Sequence, residues 1–164
     1  MPLAIAALIA AWIGITLIGG RWLPVGSAAP GFSLPRVGGG TLSLEELKGQ
    51  VVVLDFWSLG CPPCLEELPR LESLHRRMAS RVVVVGVGTG GESLEETARF
   101  ARERGIEYPL VVDESGAVAR TYRVTSLPTV YVIDREGAVA ATHSGRWSDA
   151  GLRAAVESAL GGDY

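Results

Sequence analysis

The sequence predicts an α/β layer fold: a central mixed sheet flanked by helices, preceded by one transmembrane helix. Three observations carry this. Residues 51–56 and 82–87 are apolar runs of strand length with almost no polar interruption, as in strands covered on both faces. Such runs alternate with helical segments along the chain, the pattern of an α/β layer. Residues 129–133 and 138–143 flank a turn at Arg135-Glu136-Gly137 and form an antiparallel hairpin at one edge.

Taken in order, residues 3–18 are apolar except for Thr16, and Gly19 and Gly20 extend the run. At ~1.5 Å per residue, about twenty residues span the ~30 Å of one bilayer core. Trp12 and Trp22 are placed to anchor within it and at its interface. A cleaved signal peptide and a buried core helix are the alternatives. Residues 1–11 lack the Lys or Arg of a signal n-region. Ser27-Ala28-Ala29 resembles a cleavage site, but Pro30 follows it. An uncleaved anchor is preferred, which divides the chain into an anchor over 1–22, a linker over 23–30 and a domain over 31–164. Arg21 lies on the domain side, which the positive-inside rule would place in the cytoplasm. Large domains translocate largely regardless of such charges, and the chemistry below places the domain outside.

Residues 25–40 are rich in Gly, Pro and Ser and read as the linker followed by a loose hairpin. Ser43-Leu44-Glu45-Glu46 has the capping-box pattern of a short helix, and Ser93-Leu94-Glu95-Glu96 repeats it before a helix to about Arg104. Further helices are expected over 62–79, 115–122 and 147–160, the last capped by Ser148 or Asp149. A short strand is expected over 108–112.

Composition narrows the function. The 164 residues are 48% hydrophobic, enough for a real core, and the net charge of −3 with no basic stripe argues against nucleic acid as a partner. The chain holds two cysteines, Cys61 and Cys64. A disulfide framework would use more, spread along the chain. A structural zinc site needs about four ligands, and neither His75 nor His143 stands at finger-like spacing from the pair. No metal or cofactor is expected.

Cys61 follows a buried strand and precedes a helix, so its sulfur sits at a helix N-terminus. The positive end of the helix favours thiolate, the nucleophilic form. Pro62 fits the first turn, where a missing N–H costs little. Cys64, one turn on, is placed to resolve a mixed disulfide formed at Cys61. Cys61 is thus expected to be the exposed member and Cys64 the buried one. Pro62 and Pro63 remove two N–H groups that might otherwise face the Cys61 sulfur. A less stabilised thiolate means a lower reduction potential, hence a reductase.

These residues resemble the thioredoxin superfamily, and most closely its TlpA/ResA-like membrane-anchored branch. The likeness covers roughly residues 26–160. It rests on Ala29-Pro30-Gly31-Phe32-Ser33-Leu34, on the Leu- and Val-rich stretch 44–53, and on Val53-Leu54-Asp55-Phe56-Trp57 running into Cys61-Pro62-Pro63-Cys64. Pro69 and Leu127-Pro128-Thr129 complete it. The resemblance implies that residues 108–122 are the branch's strand–helix insertion and that Pro69 kinks its helix. It also implies that Pro128 is cis, faces the cysteines and exposes the Leu127 backbone to a substrate segment. Trp57, Leu127 and Pro62 are the expected substrate-contacting residues.

Glu67, one turn after Cys64, is similar in position to the acid that tunes the pair in ResA-like proteins. Asp55, inside its apolar strand, is similar to the buried aspartate of thioredoxin. Either is expected to move protons to and from Cys64. The branch usually has Trp before its first cysteine; here Leu59-Gly60 imply a more open rim.

The expected activity is reduction of disulfides in extracytoplasmic proteins, in the manner of cytochrome c maturation, with electrons from a membrane thiol donor. Apocytochrome c is the family-typical client. A peroxiredoxin-like peroxidase is one alternative, because the stretch 29–53 is shared with that family. A copper-holding protein is another, though it would need a further ligand near the pair. Gly86-Val87-Gly88-Thr89-Gly90-Gly91 spells a dinucleotide fingerprint, but the chain is short for that fold and Asp113 fits the ribose-binding role poorly. The glycines are read as making a tight turn. His75 is read as part of a solvated helix face, and His143 is assigned no role.

Overall fold

The computed structural model describes residues 22–161. The expected anchor falls almost wholly outside them. Among the described residues no helix is long and apolar enough to cross a membrane.

A hairpin opens the domain, β1 (Ser33–Pro35) against β2 (Thr41–Ser43), followed by a 3-10 turn over Glu45–Leu47. Then come β3 (Val51–Trp57), α1 (Pro62–Met78), β4 (Val82–Gly88), α2 (Leu94–Arg104), β5 (Leu110–Val112) and α3 (Ala117–Thr121). The chain ends with β6 (Thr129–Ile133), β7 (Val139–Ser144) and α4 (Asp149–Ala159). The five-stranded sheet runs β5-β4-β3-β6-β7, with β3, β4 and β5 parallel and β6 and β7 antiparallel. This is the mixed sheet with one antiparallel edge expected from the sequence.

All seven residues of β3 are buried. Because strand side chains alternate, β3 feeds two cores. Val51, Val53 and Trp57 join the cluster built with α1, α2 and α4, which includes both cysteines. Val52, Leu54 and Phe56 join the opposite cluster with the hairpin, Tyr122 and Tyr131. By the same alternation Asp55 faces the cysteine side, a charged group in an apolar layer.

The two capping-box patterns part ways. Ser93 and Glu96 close a complete reciprocal box on α2. At the first pattern Leu44 takes the cap position and makes no side-chain bond, while Ser43 Oγ donates to Glu46 Oε1 instead. The result is a single 3-10 turn, since Gly49 at φ +84° ends it before a helix can grow.

The segment 23–30, expected as a linker, is bonded to the domain edge. Gly26 N donates to Val139 O at 2.8 Å, and Ala29 N to Gly137 O at 2.9 Å. Leu23 and Ala29 pack on the second cluster, so apolar contact holds this stretch down. Three elements are shorter than expected. Strand β5 starts after Pro109, which has no N–H to pair. Helix α3 starts after Gly116, held left-handed at φ +67°. Helix α4 starts after Ser148, whose side chain accepts from Gly151 N. Trp147 therefore lies outside the helix, in the loop that borders the site.

Candidate active site

Cys61 is the N-cap of α1, and its Sγ accepts from the backbone N–H of Cys64 at 3.3 Å. Pro62 and Pro63, in the first turn, have no N–H to offer. The pair is disulfide-bonded, with Cα atoms 5.3 Å apart. Cys64 is fully enclosed and Cys61 is 9% exposed. The expected order of exposure holds, but Cys61 itself is nearly buried. Pro62 and Pro63 are exposed beside it. At Gly60 an added side chain would meet no atom within 4 Å, which agrees with an open rim.

Other expected residues converge on this end of the sheet. The register pairs Phe56 with Thr129, so Pro128 stands level with Trp57, where β3 delivers the chain to the cysteine loop. The Leu127–Pro128 bond is cis. Leu127 is partly buried and packs against both clusters. Trp57 does not line the surface. Its side chain is fully buried, stacked on Phe100 at 5.5 Å between centroids, so it supports the site from beneath.

Both acids are inside. Asp55 is fully buried and neither carboxylate oxygen has a hydrogen-bond partner. Burial raises its pKa well above the ordinary carboxylate range, and the nearby charge of Glu67 raises it further. Glu67 is buried, not solvated like Glu66. Its Oε1 accepts from Trp147 N at 3.4 Å, and its Oε2 is buried without a partner. Burial raises the Glu67 pKa, while the Trp147 N–H and the charges of Arg70, His143 and Arg146 pull it back. Two acids on the Cys64 side of the sheet are therefore shifted toward the range where they exchange protons with a thiol.

Sequence reasoning missed the loop that closes over Glu67. Gly145 N donates to Pro128 O at 2.9 Å, which ties this loop to the cis-proline. Arg70 donates to Trp147 O at 3.0 Å and pairs with Asp149. Arg146 pairs with Glu66 at 3.2 Å. His143 stacks on Trp147 at 4.9 Å. The available clue was the position of Trp147 and His143 at the end of an edge hairpin, but nothing local says which neighbour a loop residue meets. His75 also departs from expectation: it is half-buried, with Nδ1 enclosed and its ring edge-on to Tyr108 at 6.2 Å.

The glycine run makes room for side chains, not for phosphates. A Cβ at Gly86 would stand 2.5 Å from Leu110 Cδ2, and one at Gly90 would stand 2.5 Å from Ser58 Cβ. Glu92 packs against Gly88 and Gly90 beside the cysteine loop. Asp113 accepts from Ala119 N at 2.8 Å and so organises α3. A cleft of about 550 Å³, lined by Leu65, Leu68, Glu72, Arg76 and Arg104 among others, flanks α1.

A strand-to-helix dithiol beside a cis-proline, on a thioredoxin-like α/β sheet, defines a thiol–disulfide oxidoreductase. Comparison with known proteins agrees. The chain belongs to the AhpC/TSA family, whose pattern matches residues 25–142. It is 38% identical over 122 residues to the thioredoxin-like protein YneN of Bacillus subtilis, covering 73% of this chain and 71% of that one. It is 33% identical over 124 residues to the thiol-disulfide oxidoreductase ResA of the same organism, covering 76% and 69%. Among solved structures, a putative thiol:disulfide interchange protein DsbE from Chlorobium tepidum superposes with a TM-score of 0.79. It is 31% identical, and the match covers 85% of this chain and 99% of that one.

Proposed function

We propose that this oxidoreductase works as a reductase of disulfides in extracytoplasmic client proteins, held at the membrane by its N-terminal helix and recharged by a membrane thiol donor. The observation that carries the direction is the N-cap of α1. Cys64 N–H donates to Cys61 Sγ, while the two prolines between the cysteines contribute no donor. A thiolate with few donors is less stabilised, and a dithiol whose reduced form is less stabilised gives up electrons more readily. The likeness to ResA supports the reading and makes apocytochrome c the first client to try.

In the reaction, the Cys61 thiolate attacks one sulfur of the client disulfide and expels the other as a thiolate. The mixed disulfide is broken when Cys64 attacks Cys61 Sγ, which releases the second client sulfur. Cys64 loses its proton as it attacks, and Asp55 and Glu67 are the acids on its side of the sheet that can hold it. The client gains two electrons and two protons, and the enzyme ends as the disulfide. Pro62 and the Leu127 backbone provide the surface against which a client segment lies.

The test is the reduction potential of the Cys61–Cys64 pair, measured by equilibration with glutathione. A value well below about −200 mV is expected; one near −120 mV makes the protein an oxidant and overturns the direction. Peroxide consumption by the reduced protein at rates matching disulfide reduction would favour the peroxidase alternative.

A further inference from the structure

We infer that Tyr108 and His75 form an inner relay that carries protons between Asp55 and solvent at the far end of α1. The inference rests on the exchange reading above. It answers a problem that reading creates. While a client is bound at Cys61 it covers the mouth of the site, and the 145–147 loop already roofs Glu67. The proton that leaves Cys64 then needs another way out.

Among the described residues, six buried polar atoms without partners lie in the layer between the sheet and α1. They are both oxygens of Asp55, Trp57 Nε1, Glu67 Oε2, the Tyr108 hydroxyl and His75 Nδ1. Buried polar groups are nearly always bonded to protein or to ordered water. A polar cluster of this kind is where bridging water resides.

The groups are also contiguous. Asp55 pairs in register with Gly86 on the adjacent strand. Gly86 has no side chain, and its place is taken by Leu110, nearest at 2.5 Å, with Trp57 and Tyr108 beside it. A Cβ there would stand 3.1 Å from Trp57 Nε1 and 3.3 Å from Tyr108 Cε2. The Tyr108 ring meets the His75 ring edge-on at 6.2 Å. His75 continues the inward stripe of α1 after Cys64, Leu68 and Leu71, and is the member of that stripe that is only half-buried. The series therefore runs from Asp55 at the site to a residue at the protein surface.

The chemistry suits transfer. A phenol can take a proton on its oxygen while passing on its own, so it relays without ionising. Burial and the charges of Asp55, Glu72 and Glu67 hold the Tyr108 proton in place, which keeps the hydroxyl in the relaying form. Of the charged groups around it, Glu72 is committed to Arg76 and to Glu107 N, and Arg76 also pairs with Glu107. Asp55, Glu67 and His75 are left with free positions. In the forward direction the Cys64 proton passes to Asp55 as Cys64 attacks Cys61 Sγ. The proton that Asp55 already holds on its other oxygen moves to Tyr108, whose own proton goes to His75 and then to water.

The test is single-turnover reduction of insulin by the full chain, with Tyr108→Phe, His75→Ala and the double variant. Each single variant is expected to slow insulin reduction by about tenfold or more. The double variant is expected to be no slower than the worse single one, because one path is cut twice. Added imidazole should speed His75→Ala and not Tyr108→Phe. The equilibrium potential against glutathione should not move, because a relay sets rate and not equilibrium. Wild-type rates in either single variant overturn the relay. So do losses that multiply in the double variant, or a shifted potential. If the unmodified protein fails to reduce insulin at all, the exchange reading fails instead.

Discussion

Asp55 sits in β3 with two carboxylate oxygens that have no hydrogen-bond partner among the described residues. Its native pKa lies well above 3.8 because of burial first and Glu67 second. Above pH 3.8 the unfolded chain releases this proton while the native state keeps it, so native stability falls as pH rises through that window. Each unit of separation corresponds to about 1.4 kcal/mol. Asp55→Asn is therefore expected to stabilise the domain at pH 7 and above, with the gain vanishing below pH ~4, and also to slow disulfide exchange. Denaturant titrations at several pH values check the first part; an unstabilised variant at pH 8 would contradict the burial argument. At Glu67 the comparison is with its neighbour. Glu66 forms an exposed ion pair with Arg146, worth at most about 1 kcal/mol. Glu67→Gln should slow the resolving step of Cys64 by about tenfold or more, while Glu66→Gln leaves it nearly unchanged. Equal small effects, read by stopped-flow quenching of mixed disulfide, would remove Glu67 from the mechanism.

Elements show what the sequence could and could not announce. Helix α2 was legible to the residue, because Ser93 and Glu96 satisfy each other locally and need no tertiary help. The similar pattern at Ser43 gave a single 3-10 turn and no α-helix, because Gly49 and the start of β3 leave no length for more. The cysteine loop was legible too: a buried strand running into a proline-led helix can put Cys61 only at a helix start. The roof over Glu67 was not, because it depends on where α4 begins and so on which side of the cap Trp147 falls. Ser148 decides that through its bond to Gly151 N at 3.1 Å. Ser148→Ala should cost about 1 kcal/mol. It should also loosen the Trp147 N–H on Glu67, so that the Glu67 pKa rises when measured by nuclear magnetic resonance on a labelled sample. A stability loss with an unmoved Glu67 would separate the cap from the site. In β4, Gly86 was read as a turn glycine, yet it lies inside the strand with Leu110, Trp57 and Tyr108 filling the space a side chain would need. Gly86→Ala drives a methyl into Leu110 and toward Trp57, and should destabilise by about 1–3 kcal/mol, as read from a denaturation midpoint.

At the scale of the whole molecule, the two-faced burial of β3 was written in its composition, since seven consecutive residues of this kind suit only a strand covered twice. The sharing of one face by Asp55, Glu67, Tyr108 and His75 was not, because they come from separate elements and meet only when the layer closes. The same whole-chain view governs the membrane. Residues 3–18 carry no charge, and with Gly19 and Gly20 the run has the length the proposed anchor needs. The bonded stretch 26–29 leaves only a few residues between that segment and the domain edge, so the dithiol is expected to stay close to the membrane surface. The full chain should sediment with membranes and remain there after alkaline carbonate washing, whereas a chain lacking residues 1–22 should be released. Orientation needs a second measurement, since Arg21 alone argues weakly for a cytoplasmic domain and the reductase reading argues for the other side. In intact cells treated with a mild permeant reductant, a membrane-impermeant maleimide should modify Cys61. Modification only after lysis would place the domain in the cytoplasm and remove extracytoplasmic proteins as its clients, even with the exchange chemistry intact.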